Sequence, residues 1–397
     1  MSLRGHVDQV TRHTVTGWAF NEDAPETAVK VIISVNGLAV GGVLADRFRE
    51  DLTTLGEGLT GKYGFQYSFD PSLSLFLENE VEVTFQQTAR LLPEGRKSLR
   101  TLANTSPRSG SPVPILVTAM GRSGTSLLMN RLASHEDVVV AGEFPFEIKM
   151  LSYYSLAFRT LVSEGERDRS TDPDTMASEA ARFGIGFNPF NHPDYSSVLG
   201  NQALHDDFFL GKVPAIIGEG FKHIILRYYD LVRIKSGKIS TKFLAEKIHP
   251  DLTSRLGPRF LFGAVKEIVL IRDPRDLLCS FDSHWKFSGD RAIESIANTM
   301  DAMAAICQEH RDDVIVVKFE DLVLRQPDTL GTIASFLEVN GKLDGDISGD
   351  ASRFESHGTT QTPEASVGRW KRDLPEGLLG KCLPKFSKYL ALFGYEL

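Results

Sequence analysis

Pro114-Ile-Leu-Val-Thr-Ala-Met-Gly-Arg-Ser-Gly-Thr-Ser-Leu-Leu128 is the stretch on which the reading of this chain turns. Its first part, Ile115 to Ala119, is an apolar run with β-branched residues, the pattern of a strand buried on both faces of a parallel sheet. The run breaks at Gly121, and from Thr125 the spacing of Leu127, Leu128 and Leu132 predicts a helix with one face on a core. Strand, glycine-containing turn and helix together make a cradle for a phosphate. Gly121 and Gly124 allow close backbone approach, while Arg122, Ser123, Thr125, Ser126 and the free N–H groups of the helix start hold the anion.

A nucleotide triphosphatase loop requires G-x-x-x-x-G-K-[ST]. Counted back from Gly124, the first glycine position holds Ala119, and Thr125 stands where the lysine belongs. The cation instead precedes the second glycine, at Arg122. This arrangement, G-R-S-G-T-S, resembles the 5′-phosphosulfate loop of sulfotransferases that use 3′-phosphoadenosine 5′-phosphosulfate (PAPS). A second signature, Ile271-Arg-Asp-Pro-Arg-Asp-Leu-Leu-Cys-Ser280, resembles the same family's 3′-phosphate motif, with Arg272 at a strand's end and Ser280 on the helix that follows. A guanidinium fork and a hydroxyl so placed can meet on one phosphate. Pro274 suits a first helical turn, where its missing N–H is not needed.

Two further stretches agree with that family. Val317-Lys-Phe-Glu-Asp-Leu322, followed by Gln326-Pro and a helix reaching Phe336, is similar to its strand-then-helix segment behind the site. Ser366-Val-Gly-Arg-Trp-Lys-Arg-Asp-Leu374 resembles its C-terminal cofactor-covering loop. The resemblance implies that Arg369 and Lys371 reach the 3′-phosphate and that Trp370 packs on the adenosine side. It spans roughly residues 113 to 385, with the long middle segment left out.

Sulfuryl transfer needs a base for the acceptor hydroxyl, cations on the sulfonate oxygens and an in-line approach. The resemblance implies Lys247 beside Arg122 as a cation on the transferring group. For the base, the chain offers two residues. His135-Glu-Asp-Val138…Gly142-Glu143 resembles the motif in which protein-tyrosine sulfotransferases and many bacterial relatives carry a catalytic glutamate, which points to Glu143. Phe144, Pro145 and Phe146 would supply an apolar wall that raises its pKa. Lys247-Ile-His249 resembles the "K-T-H" of cytosolic small-molecule sulfotransferases, which points to His249. The assignment favours Glu143 and leaves His249 open. His284 and His357 are read as peripheral. No metal is expected, because no cluster of acidic ligands accompanies the motifs.

Upstream, residues 1 to about 105 read as all-β. Val15–Phe20, Val29–Val35, Leu38–Leu44, Gly64–Phe69 and Glu80–Gln86 are short strands between turns, and Asn36-Gly37 is a strong hairpin signal. A small sandwich is the expected result. The segments Gly5-His-Val-Asp8, Gly17-Trp-Ala-Phe20, Arg47–Leu52 and Gly61–Phe65 resemble a β-sandwich module attached to bacterial glycan-modifying enzymes. Residues 106–113 read as a Pro-, Ser- and Gly-containing linker. Residues 114–397 then form a P-loop-like three-layer α/β domain with a mostly parallel sheet. Within it, about 150–240 is an insertion that carries the acceptor-binding cap.

Composition sets the outer limits. The 397 residues leave room for two domains, and 42% hydrophobic with 24% charged residues is ordinary for a globular chain. A net charge of −8 gives no support to general nucleic-acid binding. Cys279, Cys307 and Cys382 have neither disulfide nor zinc spacing. The first residues lack the apolar core of a signal peptide and no window approaches a membrane span, so a cytoplasmic location is the expectation. The implied activity is PAPS-dependent sulfation of a hydroxyl, on a glycan or glycolipid acceptor, leaving adenosine 3′,5′-bisphosphate. A P-loop kinase using ATP and a catalytically inactive glycan-binding protein are the alternatives.

Overall fold

The computed structural model describes residues 2–55, 60–70, 72–101, 111–142, 144–162, 204, 207–341, 343 and 359–396. Its strands are β1 Leu3–Val10, β2 Thr14–Asn21, β3 Val29–Val35, β4 Leu38–Ala45, β5 Arg47–Phe48, β6 Lys62–Ser68, β7 Asn79–Phe85, β8 Leu91–Leu99, β9 Val113–Ala119, β10 Val138–Val140, β11 Phe243–Ile248, β12 Lys266–Ile271 and β13 Val314–Lys318. The helices that matter below are α1 Thr125–Ala133, α2 Met150–Val162, α3 Val213–Lys235, α4 Leu252–Phe262, α5 Pro274–Trp285, α6 Gly289–Gln308, α7 Phe319–Leu324, α8 Gln326–Leu337 and α9 Glu376–Leu392. The chain forms two compact units, residues 1–103 with 157–217, and residues 104–156 with 218–397.

The first β1–β8 segment forms two antiparallel four-stranded sheets, ordered β1-β2-β6-β5 and β4-β3-β7-β8. Alternation builds their shared core. Val29, Val31 and Ile33 of β3 and Val81, Val83 and Phe85 of β7 point inward with Val15 and Phe65 of the other sheet. Asn36 and Gly37 both take positive φ, 51° and 79°, as a two-residue hairpin turn demands. Three strands escape the periodicity reading, each for a physical reason; β5, at two residues, is too short to show a period. In β1 the buried Leu3, Gly5 and Val7 alternate with Arg4, His6 and Asp8, and a glycine among three buried positions weakens the apolar signal. Strand β8 contains Pro93 and Gly95, which argue against a central strand. It lies at a sheet edge and carries a register shift opposite Glu82–Thr84, the setting in which both residues are tolerated.

The third sheet is five-stranded, wholly parallel, and ordered β10-β11-β9-β12-β13. Successive residues of β12 face opposite ways and define the layers. Ile268 and Leu270 pack with Leu128 and Leu132 of α1 and Leu330 and Ile333 of α8. Val269 and Ile271 pack with Leu277 and Leu278 of α5, Met300 and Met303 of α6, and Phe386 and Leu390 of α9. Sheet between two helical layers is the three-layer architecture the motifs imply. Strand β9 is central, and its partners β11 and β12 flank it on opposite sides. The chain runs from β9 toward β10 and β11 first and reaches β12 later. The order therefore reverses at β9, and a crevice opens at the carboxyl ends of the strands there. Register sets Leu270 of β12 beside Ala119, and Ile248 of β11 beside Thr118. The turn after β9, Arg272 and Lys247 thus emerge at neighbouring strand ends.

Candidate active site

The cradle's two glycines are required for different reasons. At Gly121, a Cβ would stand 2.8 Å from the Trp285 ring. Gly124 is the residue before α1, with φ of 85°, and a Cβ there would lie 2.3 Å from Phe319 Cδ2. Arg122 also takes positive φ, 70°, which folds the turn tightly enough to aim the first N–H groups of α1 into the crevice. Ser123 is fully buried, and its hydroxyl has no hydrogen-bond partner among the described residues. An unpaired buried hydroxyl is costly unless something polar meets it, a cost that an anion held in this turn would offset. We expect Gly124→Ala to destroy anion binding, because it combines a strained φ with a clash against an aromatic ring. Titration with adenosine 3′,5′-bisphosphate should give at least roughly hundredfold weaker binding; affinity within a few-fold of wild type would contradict this account of the loop.

The mid-chain motif closes onto the same loop. Arg272 directly follows β12, and Asp273, capping α5, accepts from the N–H of Arg275 at 2.9 Å. The Arg272 guanidinium donates to the carbonyl oxygen of Arg122 at 2.8 Å and to that of Ser366 at 2.8 Å, so one buried side chain ties the cradle to the C-terminal loop. It lies over the ring of Phe319, 4.5 Å from its centroid, and its Nε has no hydrogen-bond partner among the described residues. Ser280 accepts from Arg122 Nε at 3.3 Å and meets the Thr359 hydroxyl at 3.4 Å. Arg369 donates to the hydroxyls of Thr359, at 2.8 Å, and Ser283, at 3.0 Å, and pairs with Asp373. Three guanidinium groups therefore converge. Burial, and then the charges of Arg272 and Arg369, hold Arg122 below the usual arginine range. Arg272 is lowered as well, chiefly by burial. Crowded, partly desolvated cations are an electrostatic setting for a polyanion.

Lys247, near the end of β11, reaches the other side of the cradle. Its ammonium donates to Ser126 Oγ at 3.0 Å, to the carbonyl of Pro145, and to Glu147 at 2.8 Å. Burial lowers its pKa, opposed by the hydrogen bond to Glu147. Thr125 and Ser126 form the first turn of α1.

Other expected site residues fall elsewhere. His249 stands on an exposed corner, with a 3.6 Å contact to Asp251, the N-cap of α4. Lys371 pairs with Glu396 at 2.8 Å instead of joining the arginines. Trp370 has Arg275 over its ring at 3.8 Å, which occupies one of its faces. Glu143 lies outside the described residues, as do His357, most of the linker and residues 163–203 of the expected cap. Gly142, just before Glu143, takes φ of 83°.

Several contributors are not among the expected site residues. Phe319 underlies both Gly124 and Arg272, Trp285 covers Gly121, Thr359 links Ser280 to Arg369, and Glu147 pairs with Lys247. Each is ordinary in sequence and acts only through a neighbour brought close by the fold.

Solved sulfotransferase structures are similar to this chain. The sulfotransferase domain from the curacin biosynthetic pathway is 19% identical with a TM-score of 0.42, over 74% of this chain and 100% of that one. The sulfotransferase domain of the Synechococcus PCC 7002 olefin synthase is 20% identical with a TM-score of 0.39, again over 74% and 100%. Mouse sulfotransferase SULT7A1 complexed with PAP is 11% identical with a TM-score of 0.34, over 72% and 85%. At these identities the likeness is one of fold. No family model and no curated protein matches the sequence.

Proposed function

We propose that this protein is a PAPS-dependent sulfotransferase that sulfates a hydroxyl group, with a glycan or glycolipid as acceptor. The observation that carries the reading is the Arg272 guanidinium on the Arg122 carbonyl, which joins the early anion cradle to the mid-chain arginine motif. A donor bearing phosphates at both its 3′ and 5′ ends has use for two such holders side by side. The available donors fit it: Ser123 Oγ and Arg272 Nε are buried without partners among the described residues, Arg122 donates to Ser280, and Arg369 donates to Thr359, whose hydroxyl meets that of Ser280.

PAPS supplies an activated sulfonate and a phosphate leaving group. In this reading Ser123, Thr125, Ser126 and the N–H groups of α1 hold the 5′ end, and Arg272, Ser280 and Arg369 hold the 3′-phosphate. Lys247 and Arg122 offset negative charge at the transferred group. Glu143 takes the proton of the acceptor hydroxyl, a role supported by its place in the sequence motif. The glycan acceptor is supported by the resemblance of the N-terminal sandwich to modules of glycan-modifying enzymes.

An acceptor array with labelled donor tests the activity. Calorimetry should show adenosine 3′,5′-bisphosphate binding tighter than ATP with magnesium; the reverse order would favour a kinase. For the base, Glu143→Gln should lower kcat by about 10²–10⁴-fold with bisphosphate affinity nearly kept, whereas His249→Ala should stay within a few-fold of wild type. Full activity in Glu143→Gln with loss in His249→Ala would transfer the role to the histidine.

A further inference from the structure

We propose that Asp276 is a positioning residue for donor recognition: its carboxylate latches the loop that presents Arg369 to the 3′-phosphate side of the site. This rests on the donor reading above and adds a residue that reading does not use. Asp276 lies in the first turn of α5 and is fully buried. One oxygen accepts from the backbone N–H of Gly368 at 2.7 Å and the other from that of Trp370 at 2.9 Å. The two bonds bracket Arg369. Gly368 takes φ of 65°, and Trp370 opens a short helical turn through Asp373. The carboxylate thereby pins the backbone on both sides of the arginine, leaving its side chain to reach Thr359 and Ser283. On the near side, Arg272 holds the carbonyl of Ser366. The loop is thus clamped from one motif at two points, by a cation on a carbonyl and an anion on two N–H groups.

The carboxylate suits that task better than a neutral group. Burial pushes its pKa up to about 6, against the two N–H donors and the Arg272 charge, so it is largely ionised at neutral pH and both oxygens accept. An asparagine at the same place keeps one acceptor and turns an NH2 group toward the second N–H, so one of the two bonds is lost and a donor faces a donor.

The test compares two nucleotides that differ at the 3′ position, adenosine 3′,5′-bisphosphate and adenosine 5′-monophosphate, by calorimetry on the full chain. Asp276→Asn should weaken the bisphosphate about tenfold or more, and the monophosphate less than about twofold. Adding Asp276→Asn to Arg369→Gln should cost little beyond Arg369→Gln alone, because the latch acts through that arginine. Equal losses on both nucleotides, no loss, or additive losses in the double variant would overturn the proposal. If Asp276→Asn does not fold, Asp276→Glu serves instead: its extra methylene displaces the carboxylate from the two N–H groups, and it should show the same selective loss. A wild-type protein that binds both nucleotides equally would overturn the donor reading itself, and this inference with it. A wild type that discriminates while Asp276→Asn discriminates equally well overturns only the latch.

Discussion

Arg272→Ala is expected to weaken adenosine 3′,5′-bisphosphate binding by at least about a hundredfold, equivalent to roughly 3 kcal/mol. The size follows from what one side chain does. Its guanidinium is buried, stacks on Phe319, and bonds the carbonyls of Arg122 and Ser366. Truncation removes a charge from the anion's surroundings and also leaves two loop carbonyls without their donor. The cradle would lose the brace that sets the Arg122 backbone, which sits at positive φ. Lysine is no substitute, since a point charge with rotating donors cannot span two carbonyls from opposite loops as a planar fork does. Arg272→Lys should therefore recover only part of the affinity, about tenfold. Calorimetry on the three proteins decides the matter. Bisphosphate affinity in Arg272→Ala within threefold of wild type would mean that the two motifs meet for structural reasons alone.

How much of this was legible in the sequence depends on whether a residue acts locally or through the fold. The cradle was, because strand, glycine turn and helix are contiguous and each leaves a local mark: β-branched run, small residues, apolar spacing. The positive φ at Gly124 is the kind of backbone demand a glycine announces. Arg272 and Ser280 were legible as a strand end and the helix after it, and parallel register then carried them to the cradle without further sequence signal. Phe319 was not, because a phenylalanine after a strand reads as core, and only the Cβ geometry at Gly124 shows the ring closing the turn from below. Helix α3 contains Gly218 and Gly220, and α4 contains Pro258; both blur helical periodicity while tertiary packing overrides them. The expected partnership of Lys371 with the arginines rests on the resemblance of the loop alone. The short helical turn from Trp370 sends successive side chains in different directions, and Lys371 finds Glu396. Buried ties are the least legible class. Thr118 donates to Glu267 at 2.6 Å, joining β9 to β12 beneath the site, and neither residue stands out in its strand.

Lys247→Ala should lower kcat by about 10²–10³-fold while changing bisphosphate affinity far less. The reason lies in where the ammonium sits. It touches the cradle through Ser126 and the segment after Gly142 through the Pro145 carbonyl and Glu147, which in the proposed reading is where donor and acceptor would meet. A cation there matters most when charge builds up on the group in transit, an effect on kcat instead of on ground-state binding. Its pH behaviour supplies an independent check. Burial, against the pull of Glu147, depresses the Lys247 pKa, with Lys149 and then Arg122 adding to the depression. The charged form is the useful one, so activity is fully present at low and neutral pH as far as this group is concerned, and fails as pH rises through a value below the ordinary lysine range. Arginine keeps its charge far above that range, so Lys247→Arg, if active, should push the alkaline limb of the kcat profile upward. An alkaline limb that stays in place in Lys247→Arg would assign that limb to another group, and a kcat in Lys247→Ala within a few-fold of wild type would remove the ammonium from the chemistry altogether.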